Sequence, residues 1–274
     1  MKIMKDYLME VQTVDDGIKA ILVGGGYIAQ KLALVLHNRG LGCSVISRAK
    51  DLDLSFTPEF IFLFNINNEE IPEAVLNFSE AIKSKLIIVS LDKPCGDNLI
   101  KLCLEKDVDY CSVSIYDVFG GSGTTSALEN IFLGVGKGKL ISFSNDQIAV
   151  TPVFVDDIVE ALCRIAFSTQ TFKKDFLLTG KEELPLVGFA QRIGIEVSQS
   201  RGLLLKPEEF GQDYLQPISR HEKILKRDET YLLLGWRPET DIVGGIKLAL
   251  GSSPVKECPP SQLPEVKKKT VLSL

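Results

Sequence analysis

Short apolar runs and longer stretches of helical spacing alternate along this chain. Phe60-Ile61-Phe62-Leu63-Phe64-Asn65 and Leu86-Ile87-Ile88-Val89-Ser90 are continuous and apolar, the pattern of strands covered on both faces. Cys43 to Ser47, Tyr110 to Ile115 and Phe176 to Gly180 read as further strands, as does the run ending at Val23. Between them, apolar residues recur at one helical face: Ile28, Leu32, Val35, Leu36; then Ile71, Val75, Phe78, Ile82 within 69–83; then Leu99, Leu102, Cys103 within 98–104. Ile158 to Phe167 repeats the pattern at Ile158, Ala161, Leu162, Ile165 and Ala166, with Asp156-Asp157 placed to cap it. Strand and helix in regular alternation predict an α/β fold, a Rossmann-type doubly wound parallel sheet with right-handed crossovers.

The pattern changes beyond Phe119. Glycine is dense from Gly120 to Gly138 around a helix at Ala127 to Leu133, and short strands at Leu140–Phe143 and Ala149–Val150 flank an Asn145-Asp146 turn. Past Lys181 the elements are shorter and more mixed, as in a small C-terminal α/β lobe closing over the sheet. The expected organisation is an N-terminal extension (1–17), a dinucleotide-binding domain (18–150), the last sheet elements with the small substrate-side lobe (151–250), and a mobile tail (251–274) rich in Pro and Lys.

The first strand ends in Gly24-x-Gly26-x-x-Ala29, followed at once by the first helix. In a dinucleotide-binding unit Gly24 permits the turn, Gly26 lets backbone approach a pyrophosphate, and small Ala29 lets helix pack on strand. The helix N-terminus, opening at Tyr27 and Ile28, offers unpaired N–H groups to the phosphates. The second strand ends in Ser47-Arg48. An acidic residue there would accept from the 2′-hydroxyl of NAD, whereas Arg suits the 2′-phosphate of NADP. NADP is therefore expected. NAD stays open through Asp51 and Asp53, and Arg48 as a solvated surface residue is the alternative.

Composition narrows the partners. Net charge is −5, with Lys and Arg scattered, so no nucleic-acid stripe is present. The six cysteines include no C-x-x-C pair, and the two histidines lie far from Cys95, Cys103 and Cys111, so no metal site is expected. Neither a signal peptide nor a membrane span is read in the first residues, and a reducing, cytoplasmic setting is the default.

Four segments resemble the extended short-chain dehydrogenase/reductase family, which includes NAD-dependent epimerases and dehydratases of nucleotide sugars. They are Leu22 to Ala29, similar to its glycine-rich turn shortened by one residue; Asp117-Val118-Phe119-Gly120, similar to its Asn-Val-Tyr-Gly segment beside the nicotinamide; Val153 to Ala161, similar to Phe-Val-His-Val-Asp-Asp; and Leu234-Gly235-Trp236-Arg237-Pro238, similar to Leu-Gly-Trp-x-Pro. The resemblance spans roughly residues 18–250 and places Gly24, Gly26, Tyr27, Ile28, Ala29, Ser47, Arg48, Asn65, Lys101 and Val118 around the cofactor. It makes Ser90 the hydroxyl that positions a substrate carbonyl and Lys101 the ribose-binding lysine. Strand termination and a solvated helix face are the bland readings of these two residues.

The chain departs from that family where chemistry is done. The family's Tyr-x-x-x-Lys has its nearest counterpart in Asp97-Asn98-Leu99-Ile100-Lys101, so the proton-passing Tyr is replaced by Asp97. A free Asp, with a pKa of about 3.9, has no proton to give at neutral pH. Tyr116 is the alternative source of a phenol, or a packing residue. The Arg that grips a diphosphate in nucleotide-sugar enzymes falls at Val150 or Thr151. Two functions follow: an NADP(H)-linked oxidoreductase or epimerase of a nucleotide sugar or other small carbonyl substrate, and a cofactor-binding sensor or assembly subunit without turnover. The family also implies a possible homodimer through the helices at 69–83 and 98–104.

Overall fold

The computed structural model describes residues 19–24, 26–48, 57–64, 73–121, 126–136, 139–142, 148–201, 206–209 and 220–251. The N-terminal extension, Asp51, Asp53, Asn65, Cys258 and all but the first residue of the expected tail fall outside them.

The chain opens with β1 (Ala20–Val23), α1 (Tyr27–Asn38), β2 (Cys43–Ile46) and β3 (Phe60–Phe64), then α2 (Glu73–Ile82), β4 (Lys85–Leu91), α3 (Asp97–Glu105) and β5 (Tyr110–Ile115). The short β6 (Val118–Phe119) follows, then α4 (Ala127–Gly136), β7 (Lys139–Ser142), β8 (Ala149–Val150), β9 (Val153–Phe154), α5 (Val155–Phe167) and β10 (Asp175–Leu178). Last come β11 (Leu184–Pro185), α6 (Leu186–Arg201), β12 (Lys206–Glu209), α7 (Arg220–Leu234) and α8 (Ile242–Gly251).

One six-stranded sheet runs β10-β5-β4-β3-β1-β2, and every pairing in it is parallel. The expected doubly wound sheet is therefore present. The chain winds outward from β1 to β2, then returns to the other side of β1 with β3, so the switch point lies between β1 and β3. Strand residues divide by parity. Ala20, Leu22, Phe60, Phe62, Phe64, Ile87 and Val89 join α1 and α5 in one core. Ile21, Val23, Ile61, Leu63, Leu86 and Ile88 join α2 and α3 in a second. Helices on both faces explain why these strands are apolar throughout. The spaced cysteines divide in the same way: Cys95 and Cys103 lie in the second core and Cys111 in the first.

Three local differences from the sequence reading have physical causes. The strands either side of the Asn145-Asp146 turn do not pair with each other: β7 takes β12 in parallel and β8 takes β11 antiparallel. Asp156 and Asp157 sit inside the first turn of α5, after the N-cap residue Phe154. There they complement the helix dipole, Asp156 pairing with Lys31 and Asp157 accepting from the amides of Glu239 at 3.1 Å and Thr240 at 3.3 Å. Third, three helices, α6, α7 and α8, occupy the stretch read as short and mixed. α7 packs behind β10, and the Thr230 hydroxyl accepts from the Leu177 amide at 2.9 Å.

The N-terminal edge of the sheet carries a buried cation. Lys85 begins β4 and donates to the Ile165, Ala166 and Ser168 carbonyls at 2.5, 3.3 and 2.8 Å and to the Thr171 hydroxyl. It thereby satisfies the carbonyls that the end of α5 leaves open.

Candidate functional site

The crevice at the switch point is shaped by the glycine turn. Gly24 follows β1 with φ +92°, and its amide donates to Ile46 O at 3.0 Å, locking the turn to β2. A Cβ on Gly24 would come within 2.5 Å of Phe64 O, the last carbonyl of β3. Gly26 is the N-cap of α1, with φ +110° and ψ 166°, a backbone region open to glycine alone. Among the described residues, no heavy atom beyond its chain neighbours lies within 4 Å of where its Cβ would be. Thus Gly24 is demanded by the protein's own packing, whereas no described side chain crowds Gly26.

The start of α1 carries no anion of its own. It has no side-chain cap hydrogen bond and no acidic residue in its first turn. Its amides and the positive end of its dipole are available to a phosphate group. Tyr27 is half-buried beside the turn, while Ile28 and Ala29 are buried and serve the contact of helix with sheet. On β2, Ile46 pairs in register with Val23, so Ser47 and Arg48, both exposed, leave the sheet beside Gly24. Asn65 would follow Phe64 at the same edge but lies outside the described residues.

The candidates for chemistry are placed further along the same sheet edge. Ser90 is opposite Ser114 near the end of β4. It is 5% exposed, its hydroxyl donates to Lys93 O at 2.7 Å, and the Cys95 thiol stands 3.3 Å away. That hydroxyl is therefore turned into its own connection, 92–96. This connection leads directly into α3, whose first residue is Asp97. Lys101 is exposed on α3, opposite the buried Leu99 and Cys103. Tyr116 and Val118 are buried beyond β5, the Tyr116 amide donating to Leu178 O at 3.0 Å and Val118 pairing with Val153. Ser90 and Tyr116 thus share the edge formed by β4 and β5, and Lys101 stands on the outer side of α3.

Sequence reasoning passed over two buried carboxylates here. Asp117, only 2% exposed and at φ +58°, accepts through Oδ2 from the Thr151 amide at 2.7 Å and the Thr151 hydroxyl at 2.8 Å. Thr151 Oγ1 also meets Thr179 Oγ1, and the Tyr231 hydroxyl donates to Thr179 O at 2.9 Å. Glu129, 1% exposed in the first turn of α4, accepts from the Gly120 amide at 2.6 Å and the Gly121 amide at 3.3 Å. Burial pushes its pKa up to about 7, against the opposing pull of those two amides. The signal in the sequence was Ser126-x-x-Glu129, a capping-box spacing. The fold diverts the glutamate to Gly120 and Gly121, and the buried Ser126 hydroxyl has no hydrogen-bond partner among the described residues.

The glycine turn and this second region are linked through Phe154. Lys31 lies 5.5 Å from the Tyr27 ring centroid and 5.9 Å from that of Phe154, and the Phe154 ring abuts Gly120. Phe154 thus lies between the start of α1 and the polar groups around β6.

No protein-family profile and no curated protein matches the sequence. Solved structures do. A UDP-glucose 4-epimerase of Thermotoga maritima, solved with UDP-glucose, is 15% identical with a TM-score of 0.61, covering 84% of this chain and 97% of its own. A UDP-glucose 4-epimerase of Thermus thermophilus, solved with NAD, is 13% identical with a TM-score of 0.60 and coverages of 84% and 97%. The enzyme WbmF of Bordetella bronchiseptica, solved with NAD+ and UDP, is 12% identical with a TM-score of 0.58 and coverages of 85% and 91%. The chain has the fold of these structures over nearly their whole length. Among the described residues no helix is long and apolar enough to cross a membrane.

Proposed function

We propose that this chain binds a nicotinamide dinucleotide along the edge from Gly26 to Val118, and that it is an epimerase/dehydratase-like protein acting on a nucleotide sugar or another small carbonyl compound. The observation that carries the reading is Gly26: glycine-only backbone at the mouth of a helix with no side-chain cap, where no described atom beyond its chain neighbours would meet a side chain. The neighbours solved with NAD support it.

The fit of residues to cofactor is good at the phosphate end. Gly24 and Gly26 shape the turn, the amides opening α1 hold the phosphates, and Ile28 and Ala29 hold the helix against the sheet. Arg48, exposed beside the turn with no acid at the end of β2, favours the 2′-phosphate of NADP(H) over NAD(H). When bound, the nicotinamide supplies hydride exchange with a carbonyl carbon. Near that end the chain offers Ser90 and Tyr116 as polar groups, Val118 as an apolar wall, and Lys101 as a ribose contact that requires its side chain to fold over the 92–96 connection.

A second reading, a cofactor-bound sensor or assembly subunit without turnover, is favoured by one feature. Asp97 stands where the resemblance puts the proton-passing Tyr, the connection 92–96 before it is short, and the Ser90 hydroxyl is already engaged within it. Self-association through α2 and α3 would cover the exposed Leu102 and Leu104. Titration of the protein with NADPH and NADH, followed by intrinsic fluorescence and melting temperature, tests the shared premise. Oxidation of NADPH with a panel of keto-sugars then separates the two readings: turnover selects the enzyme, tight binding without turnover the sensor. No response to either nucleotide removes both.

A further inference from the structure

The N-terminal edge of the sheet, opposite the glycine turn, carries two half-exposed aromatic side chains around the Lys85 ammonium. Phe167, the last residue of α5, is 48% exposed and meets the Phe60 ring edge-on with centroids 5.4 Å apart. Phe172 is 40% exposed, and the Lys85 ammonium lies 5.1 Å from its ring centroid. That ammonium is held by the Ile165, Ala166 and Ser168 carbonyls, on either side of Phe167 in the chain, so both rings border one patch. Register places the patch across three strand starts: Ala20 pairs with Phe60, and Phe60 with Lys85. Adjacent strands lie about 4.8 Å apart, so β1 begins about 10 Å from β4.

The chain enters the sheet at this same place. The Lys19 carbonyl, immediately before β1, accepts from the Glu59 amide at 2.8 Å and the Phe60 amide at 3.1 Å, and the Lys19 ammonium pairs with the Glu59 carboxylate at 2.9 Å. The residues before Lys19 lie outside the described set, and their sequence carries a helical pattern. Ile3, Met4, Tyr7, Leu8, Val11 and Val14 fall on one side of the helical period, and Lys2, Lys5, Asp6, Glu10, Gln12 and Thr13 on the other. Gly17 then supplies a stop. We propose that residues 3–14 dock as an amphipathic helix on the patch formed by Phe167 and Phe172. The proposal is independent of the nicotinamide reading, which concerns the opposite edge.

Length, chemistry and effective concentration favour this occupant over a second molecule. The connection 15–19 reaches up to about 17 Å when extended, enough to carry the end of such a helix from β1 over the starts of β3 and β4. A helix of this length is marginal by itself in water and gains stability by burying its apolar side. The two rings offer it that surface. Met4 and Tyr7 suit aromatic partners, through thioether-to-ring and ring-to-ring contacts. A segment tied through so short a connection meets its patch at an effective concentration on the order of millimolar, so a second copy of the chain would have to compete with it.

The test uses the full chain with Leu8 replaced by photoreactive benzoylphenylalanine, irradiated and mapped by peptide mass spectrometry. The expected result is cross-linking within one chain to residues 165–174 or 58–60, unchanged on dilution and lost when Val11→Asp puts a charge on the apolar side. This readout needs no change in the patch itself. Thermal unfolding of V11D, F172S and the double variant adds a second measure: contact requires that V11D lower the melting temperature less in F172S than in the wild-type background. If F172S fails to fold, F167S takes its place in the cycle. Cross-links that join two chains and fade on dilution would overturn the proposal and give the patch to a second copy. Cross-links confined to other parts of the chain, no cross-link at all, or additive melting shifts would overturn it as well.

Discussion

Gly24 and Phe64 meet where the sheet changes winding direction: a methyl group on Gly24 would stand 2.5 Å from the Phe64 carbonyl oxygen. The backbone of the turn is thus pressed against the end of β3, whereas no described atom beyond its chain neighbours lies within 4 Å of a methyl group on Gly26. The two glycines make different demands, and substitution separates them. Gly24→Ala forces an L-residue to φ +92° and pushes it into a backbone atom, so a stability loss of about 2 kcal/mol or more is expected in urea titration. Gly26→Ala meets no described atom beyond its chain neighbours, so it is expected to cost the backbone term alone, about 1–3 kcal/mol, while nucleotide affinity falls more steeply than stability. Equal effects of the two on stability, with nucleotide affinity untouched by Gly26→Ala, would contradict this division.

Arg48→Ala tests the cofactor preference. Loss of a charge-assisted contact to a 2′-phosphate should weaken NADPH by about tenfold or more and leave NADH unchanged. Parallel losses for the two nucleotides would remove the NADP assignment.

Glu129 gives the fold a pH dependence. Its pKa rises from 4.5 to about 7 on folding because burial favours the neutral acid. Between those values the native state binds the proton and the unfolded chain does not. Stability therefore falls as pH rises from about 4.5 to about 7, by up to about 3 kcal/mol. E129Q keeps an acceptor for Gly120 and Gly121 and should flatten that slope in denaturant midpoints taken from pH 5 to 8. A slope of the same size in E129Q would assign it to other groups.

Lys85→Met probes the other end of the sheet. Methionine fills the space but leaves the Ile165, Ala166 and Ser168 carbonyls without their donor. A loss of about 2–4 kcal/mol is expected, with nucleotide affinity at the far edge unaltered. A variant as stable as the wild type would show that water replaces the ammonium there.

How much of this was legible in the chain depends on the range of the interaction. Apolar runs at Phe60–Phe64 and Leu86–Val89 announced doubly covered strands because both parities had to be buried, and the structure places them in adjacent central positions. The glycine turn was legible for a similar reason, since φ beyond +90° at Gly24 and Gly26 is a local requirement that few residue types meet. The helices of the C-terminal lobe were less so. α7 spends much of its surface on charged residues, and its buried contacts, Thr230 to Leu177 and Tyr231 to Thr179, reach back more than fifty positions.

The sequence by itself determined the alternation of strands and helices from β1 to α5 and the turn at Gly24 to Ala29, because each is written in spacing and residue type along a short stretch. Tertiary structure alone decided the fate of Glu129. Its spacing from Ser126 announces a local cap, and only the approach of Gly120 and Gly121 in space draws the carboxylate away and buries it. It likewise decided that Asp117 and Thr151, distant in sequence, would answer each other across the end of the sheet. Hydrogen bonds between remote groups follow from how layers pack, and packing is a property of the whole chain.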